Sequence, residues 1–279
     1  MLRWKEERQG ETALLIEGAR RIGKSTIVEE FAKNEYSSYI LVDFSKTATE
    51  INDLFNDLSD LNYIFLRLQL NYNVSLKERK SLIIFDEVQN NPKARQAIKH
   101  LVKDHRYDYI ETGSLISIRK NVQNIIIPSE ETRISMHPMD FEEFRWAMGD
   151  NVTFTLLKTV LEQKQPLGEA IHRKLMRDFR LYMLVGGMPQ AVDKYIKTNN
   201  LSAVDTVKRD IIALYEEDLR KIDTSGKATA MFDAIPSQLS KNASRYTIAT
   251  VIPGEKQDRI SYIVQLMEES RVANIAYHS

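Results

Sequence analysis

The stretch Gly18-Ala19-Arg20-Arg21-Ile22-Gly23-Lys24-Ser25 decides how this chain is read. It fits the phosphate-loop (Walker A) pattern of a glycine, four residues, then Gly-Lys-Ser or Gly-Lys-Thr. Its flanks suit that pattern. Ala13-Leu14-Leu15-Ile16 is a short apolar run of the kind found in buried strands, and residues 26–32 have helical spacing. In a strand–loop–helix unit, glycines let successive backbone N–H groups curve around a phosphate, and the helix N-terminus adds partial positive charge. The reading assigns Gly18, Ala19, Arg20, Arg21, Ile22, Gly23, Lys24, Ser25 and Thr26 to nucleotide binding. Lys24 is expected to reach the β- and γ-phosphate oxygens, and the Ser25 hydroxyl to ligate Mg²⁺.

A second signature lies downstream. Leu82-Ile83-Ile84-Phe85 runs directly into Asp86-Glu87, the acidic-strand (Walker B) pattern. Asp86 is expected to hold Mg²⁺, directly or through water, and Glu87 to orient and deprotonate the attacking water. Taken alone, two carboxylates at a strand end are as easily a solvated cap. The phosphate loop ahead of them, in the expected order, favours the chemical reading. Tyr107-Asp108-Tyr109-Ile110 reads as another strand, leading into Thr112-Gly113-Ser114. A polar residue here can contact the γ-phosphate or position the water. Ser114 and Thr112 are the candidates, although a plain turn also favours Thr-Gly-Ser. The candidate catalytic set is Lys24, Glu87 and Ser114, the metal set Ser25 and Asp86, and the ligands ATP or ADP with Mg²⁺.

Bulk properties narrow the alternatives. A chain of 279 residues suggests two or three units. The absence of cysteine excludes a disulfide framework, a thiolate metal site and a cysteine nucleophile. Lys plus Arg and Asp plus Glu both number 39, and no segment has the positive excess of a dedicated nucleic-acid binder. The five histidines are scattered, without metal-ligand spacing. No run is long and apolar enough for a membrane span, and the N-terminus lacks a signal-peptide core. The expectation is a cytoplasmic protein with no membrane partner.

Alternating strands and helices up to about residue 140 imply a parallel sheet covered on both faces, with ligands beyond the carboxyl ends of the strands. Ser25, Asp86 and Ser114 fall at such ends. Arg133 begins its strand and belongs at the opposite edge. Residues 114–121 read as the start of a helix, and 125–128 and 133–137 complete the core, the latter as the fifth strand. Beyond Pro138 the pattern turns helical, with helices expected at 140–148, 151–163, 168–184, 189–198 and 201–222. In the third of these Ile171, Leu175, Phe179 and Tyr182 make an apolar face, and Arg173, Arg177 and Arg180 a basic one. From Lys227 one helix bearing Met231, Ile235 and Leu239, another over 255–270, and a strand over 272–277 suit a winged helix.

Several of these motifs together carry a family resemblance. Residues 14–25, Ile83-Ile84-Phe85-Asp86-Glu87-Val88-Gln89, Ile110-Glu111-Thr112-Gly113-Ser114, Pro138-Met139-Asp140-Phe141-Glu142-Glu143-Phe144 and Gly186-Gly187-Met188-Pro189-Gln190-Ala191-Val192 recur in this order in prokaryotic AAA-family ATPases. The chain resembles the archaeal-type and signal-transducing NTPase group, whose members carry a C-terminal domain of unknown function. The resemblance implies an α/β P-loop core with sheet order 5-1-4-3-2 over 1–140, a helical lid over 141–222, and a winged-helix-like domain over 223–279. Family members usually continue into a nuclease-like fold, so the last domain is expected to be truncated. The implied function is a Mg²⁺-dependent ATPase that switches the lid and winged helix. The alternative is a slow, nucleotide-gated binding switch. Expected partners besides nucleotide are a protein or a second copy of the chain, with DNA the less supported choice.

Overall fold

The computed structural model describes residues 1–114, 129–240 and 245–276. The chain divides into two compact units, Met1–Met136 with Glu217–Ser279, and His137–Glu216.

The first unit is built on five parallel strands, β1 (Ala13–Gly18), β2 (Ser38–Asp43), β3 (Ser81–Asp86), β4 (Asp108–Ser114) and β5 (Glu131–Met136), in the order β2-β3-β4-β1-β5. This is the order that the family resemblance implies, read from the other edge. Burial explains why the strands are apolar runs rather than alternating ones. Every residue of β3 is buried, and side chains two apart share a face. Leu82 and Ile84 join a core with Val28, Phe31 and Ala32 of α2 (Lys24–Glu35) and Trp4 of α1 (Leu2–Arg8). Ile83 and Phe85 face the opposite core, under α3 (Thr49–Asp53), α4 (Leu61–Tyr72) and α5 (Pro92–Asp104). Each such fully buried side chain contributes about 1.5–3 kcal/mol over an exposed one. On that second face the Phe85 ring meets Phe44, Phe55 and Tyr109 at 5.6, 5.3 and 6.4 Å between centroids. Two apolar layers thus clamp the strand that ends in Asp86. The helix expected from residue 114 and the segment 125–128 lie outside the described residues, apart from Ser114 itself.

The C-terminal part of this unit is helical: α11 (Lys227–Asp233), α12 (Ile235–Leu239) and α13 (Gln257–Glu269), around Leu219, Ala228, Met231, Ile252, Ile263 and Met267. Two sequence expectations fail here. The single helix from Lys227 breaks at Ala234, because Pro236 in the next turn has no N–H to continue the ladder, and Leu239 is left 75% exposed. No strand forms over 271–276. Arg271 turns left-handed (φ 58°) at the end of α13, and no strand among the described residues pairs with 272–276. Tyr277 lies outside the described residues.

The second unit holds α6 (Phe141–Ala147), α7 (Thr153–Glu162), α8 (Glu169–Val185), α9 (Pro189–Thr198) and most of α10 (Leu201–Ile222). Asp140 starts α6 with a capping box, accepting from the Glu143 N–H at 2.9 Å while Glu143 accepts from the Asp140 N–H at 3.0 Å. Its core is Phe144, Val185, Ala191, Val192 and Val204. Gly187 is required by close approach, since a Cβ there would stand 2.1 Å from the Met139 carbonyl oxygen. The apolar face expected on α8 is only half used. Phe179 and Tyr182 pack on Phe141 at 5.2 and 5.6 Å, but Ile171 is 53% exposed, because that aromatic cluster engages only the C-terminal half of the helix. Arg173 and Arg177 form ion pairs with Glu169 and Asp178 of their own helix.

Candidate functional site

β1, β3 and β4 carry the functional side chains to adjacent strand ends. Gly18 is level with Ser114 on β4 and Met136 on β5. A Cβ at Gly18 would meet the Met136 carbonyl oxygen at 2.3 Å and Ile22 Cδ1 at 2.6 Å, so the first glycine of the loop is fixed by the neighbouring strand as well as by the turn. Ile22, fully buried, anchors the loop from within, while Arg21 (φ 67°) and Gly23 (φ 90°) supply the left-handed residues that bend it. Gly23 is also the N-cap of α2, whose first residues are Lys24, Ser25 and Thr26. Ala19 is buried and Thr26 exposed.

Lys24 is 5% exposed and donates from Nζ to the carbonyl oxygens of Ala19 (2.8 Å) and Gly18 (3.4 Å). Burial lowers its pKa, opposed by the negative charges of Glu87 and Asp86, and the Arg20 guanidinium lowers it further. The ammonium group is therefore a desolvated cation closing the loop, within the field of both acidic residues.

Asp86, 6% exposed, is where hydroxyls converge. Ser25 Oγ donates to its Oδ1 at 2.7 Å, and Thr112 Oγ1 donates to the same oxygen. Thr112 Oγ1 in turn accepts from the Glu87 backbone N–H at 3.3 Å. Glu87 sits left-handed (φ 54°), a conformation that costs a non-glycine residue energy and persists where the surroundings impose it. Its carboxylate accepts a hydrogen bond from Gln89 Nε2. Of the two hydroxyls weighed at the end of β4, Thr112 reaches Asp86. Ser114, 3% exposed, stands at the strand terminus opposite Gly18.

Sequence reasoning did not single out three features. Gln89 holds the Glu87 carboxylate, and only its place two residues on could have suggested this. Asp218, distant in sequence, accepts from Arg20 Nη1 at 3.1 and 3.3 Å. Beneath the site, Glu111 is fully buried beside Glu131 and Arg95. Burial is the main cause that pushes the Glu111 pKa well up, followed by the Glu131 charge, with Arg95 opposing. A charged residue inside an apolar strand was the available signal. Arg133 pairs with Glu131 at 2.7 Å; it does not begin β5 as expected but lies mid-strand, level with Leu15. Among the described residues no group of three or more His, Cys, Asp or Glu could hold a metal ion by itself. No described helix is long and apolar enough to cross a membrane.

The donor set suits a Mg²⁺–polyphosphate. A hydroxyl and a carboxylate oxygen are hard ligands of the kind Mg²⁺ takes alongside water and phosphate, and they lie 2.7 Å apart next to a helix N-terminus and a buried ammonium group.

This strand order, with a glycine-bent loop entering a helix beside an acidic strand end, defines a P-loop NTPase fold. Residues 10–145 match the family model described as an AAA domain. Residues 176–278 match a domain of unknown function, DUF8612. No curated protein matches the sequence. Similar solved structures include C. elegans PCH-2, with 11% identity and a TM-score of 0.38, covering 73% of this chain and 62% of that one. Another is Drosophila ORC bound to DNA, with 14% identity and a TM-score of 0.42, covering 99% of this chain and 81% of that one. The chain thus spans less than two thirds of the PCH-2 chain.

Proposed function

We propose that this chain binds ATP with Mg²⁺ and hydrolyses it, using the nucleotide state to switch its helical regions, with 141–222 acting as a lid and 223–279 as the responding domain. The observation that carries the reading is the convergence of Ser25 and Thr112 on Asp86, with the Lys24 ammonium group in their electrostatic neighbourhood. When bound, Mg²⁺ supplies charge neutralisation at the phosphates. Lys24 and the backbone N–H groups of the loop bind phosphate oxygens. Ser25 and Asp86 hold the metal, and Thr112 fixes the Asp86 rotamer. Glu87 accepts the proton of an attacking water once its carboxylate turns from Gln89. Ser114 is assigned to the phosphate side of β4.

The test is Glu87→Gln. Nucleotide affinity measured by calorimetry should persist while phosphate release falls by about 10²–10⁴. Turnover at the wild-type rate would remove Glu87 as the base.

A second reading has its own support. The bond from Gln89 to Glu87 keeps the base engaged with a protein donor, which favours a slow switch whose output is association with a protein or DNA. Phosphate release with and without DNA separates the two readings. Fast basal turnover favours the ATPase; negligible turnover with nucleotide-dependent partner binding favours the switch.

A further inference from the structure

The phosphate loop is tied to the C-terminal helices by a salt bridge that the hydrolytic chemistry does not use. Arg20, third in the loop, donates from Nη1 to both carboxylate oxygens of Asp218 at 3.1 and 3.3 Å. The Asp218 side chain is 6% exposed and the Arg20 side chain 37%. Lys221, one turn on, adds a second cation at 3.3 Å. A carboxylate this buried needs its cations.

Asp218 lies in the last turns of α10, and its neighbours face elsewhere. Leu219, fully buried, belongs to the C-terminal core with Met231 and Ile263. Asp223, just past the helix end, accepts from the Ala228 N–H at 2.8 Å at the start of α11, and from Arg259 on α13. The stretch 218–223 is therefore a staple. One end grips the phosphate loop through Arg20, and the other grips two C-terminal helices through Asp223.

We infer that the Arg20–Asp218 pair is a phosphate-sensitive latch, in which a polyphosphate in the loop competes with Asp218 for the Arg20 guanidinium and thereby loosens the 218–223 staple. The inference rests on the nucleotide-binding reading of the loop. Arg20 already acts on the Lys24 ammonium group electrostatically, so its charge lies within range of whatever Lys24 binds. A polyphosphate carries several negative charges against one on Asp218, and a guanidinium binds phosphate oxygens as readily as carboxylate. Asp218 also opposes the ligand directly, as a like charge beside the loop. Both effects have the same sign: Asp218 weakens nucleotide binding, and by linkage nucleotide weakens the hold of Asp218 on the loop.

The experiment uses the full chain, with Mg-ADP and Mg-AMPPNP as probes in calorimetry. Asp218→Asn should bind both about fivefold or more tightly than wild type. In an Arg20→Gln background the same substitution should lose most of that gain, which a purely structural role of Asp218 would not produce. Hydrogen exchange on the wild-type chain gives a second readout, with amides across 217–228 exchanging faster when either nucleotide is bound. Unchanged or weaker binding by a folded Asp218→Asn variant overturns the latch. If that variant does not fold, unchanged exchange in the wild type overturns it. Should the wild type bind neither probe, the nucleotide-site reading falls and the latch with it, an outcome distinct from nucleotide binding that is insensitive to Asp218.

Discussion

Replacing Thr112 by Val keeps the shape of the side chain and removes its hydroxyl, which isolates one contribution to the site. In the native chain that hydroxyl donates to Asp86 and accepts from the Glu87 N–H at 3.3 Å. The first bond involves a carboxylate that is 6% exposed, and a hydrogen bond to a charged group contributes about 1.5–3 kcal/mol. The second is long and neutral, which places it near the lower end of the range, about 0.5–1 kcal/mol. It matters for another reason: Glu87 is held left-handed at φ 54°, and its N–H contact with Thr112 is one of the restraints holding it there. The sum, about 2–4 kcal/mol, corresponds to a fall in melting temperature of about 5–15 °C for a domain of this size. Circular dichroism melts without nucleotide measure it, with Thr112→Ser as a control that keeps the hydroxyl and stays close to wild type. On the proposed role of Asp86 in holding Mg²⁺, loss of the Thr112 hydroxyl should also lower Mg²⁺-dependent phosphate release by about 10–100-fold. A melting temperature within about 2 °C of wild type, together with undiminished turnover, would refute the argument. Asp86 would then be held well enough by Ser25 alone.

Two more substitutions probe the sheet around the site. Burial raises the Glu111 pKa above its unfolded value, so its contribution to stability is complete below the unfolded pKa and is lost as pH rises towards the folded one. Glu111→Gln should therefore raise the melting temperature at pH 8 by about 2–10 °C and change it little at pH 4, from about 1–3 kcal/mol of relieved desolvation; equal shifts at both pH values would contradict the assignment. Gly18→Ala should lower both nucleotide affinity and melting temperature. A Cβ 2.3 Å from the Met136 carbonyl oxygen forces β1 and β5 apart, a strain of about 1–3 kcal/mol, and an unchanged melt would show that the strand ends yield freely.

Most of the sheet and the site is local in sequence, which is why it can be read there. The apolar run of β3 ends in Asp86 because a strand buried on both faces excludes charge until it reaches the rim. The loop advertises itself through spacing because Gly18 and Gly23 each meet a backbone requirement that few other residues meet, and the Lys24 side chain reaches the loop carbonyls. What was not legible depends on contacts between distant segments. Leu239 reads as part of an apolar helical face and is 75% exposed, since Pro236 restarts the helix and nothing covers that position among the described residues. Ile171 fails for the same reason, its periodicity continuing past the end of the aromatic cluster that would bury it. The supposed wing strand had strand-like composition, but a strand is stabilised by its neighbour, and sequence composition does not supply one.

The choice between Thr112 and Ser114 shows where that limit falls inside the site itself. Both are small hydroxyl residues two apart on one strand, so both point to the same side of the sheet, and spacing cannot rank them. Register ranks them. Ser114 is level with Gly18 at the rim, whereas Glu111 is level with Phe85, which sets Thr112 beside Asp86. A hydroxyl beside the carboxylate can hold its rotamer before any ligand arrives; one at the level of the glycine faces the position where phosphate would lie. The two residues therefore have different predicted signatures. Loss of the Thr112 hydroxyl should register in the stability of the nucleotide-free chain, while Ser114→Ala should leave that stability alone and appear only as weaker nucleotide binding or slower phosphate release.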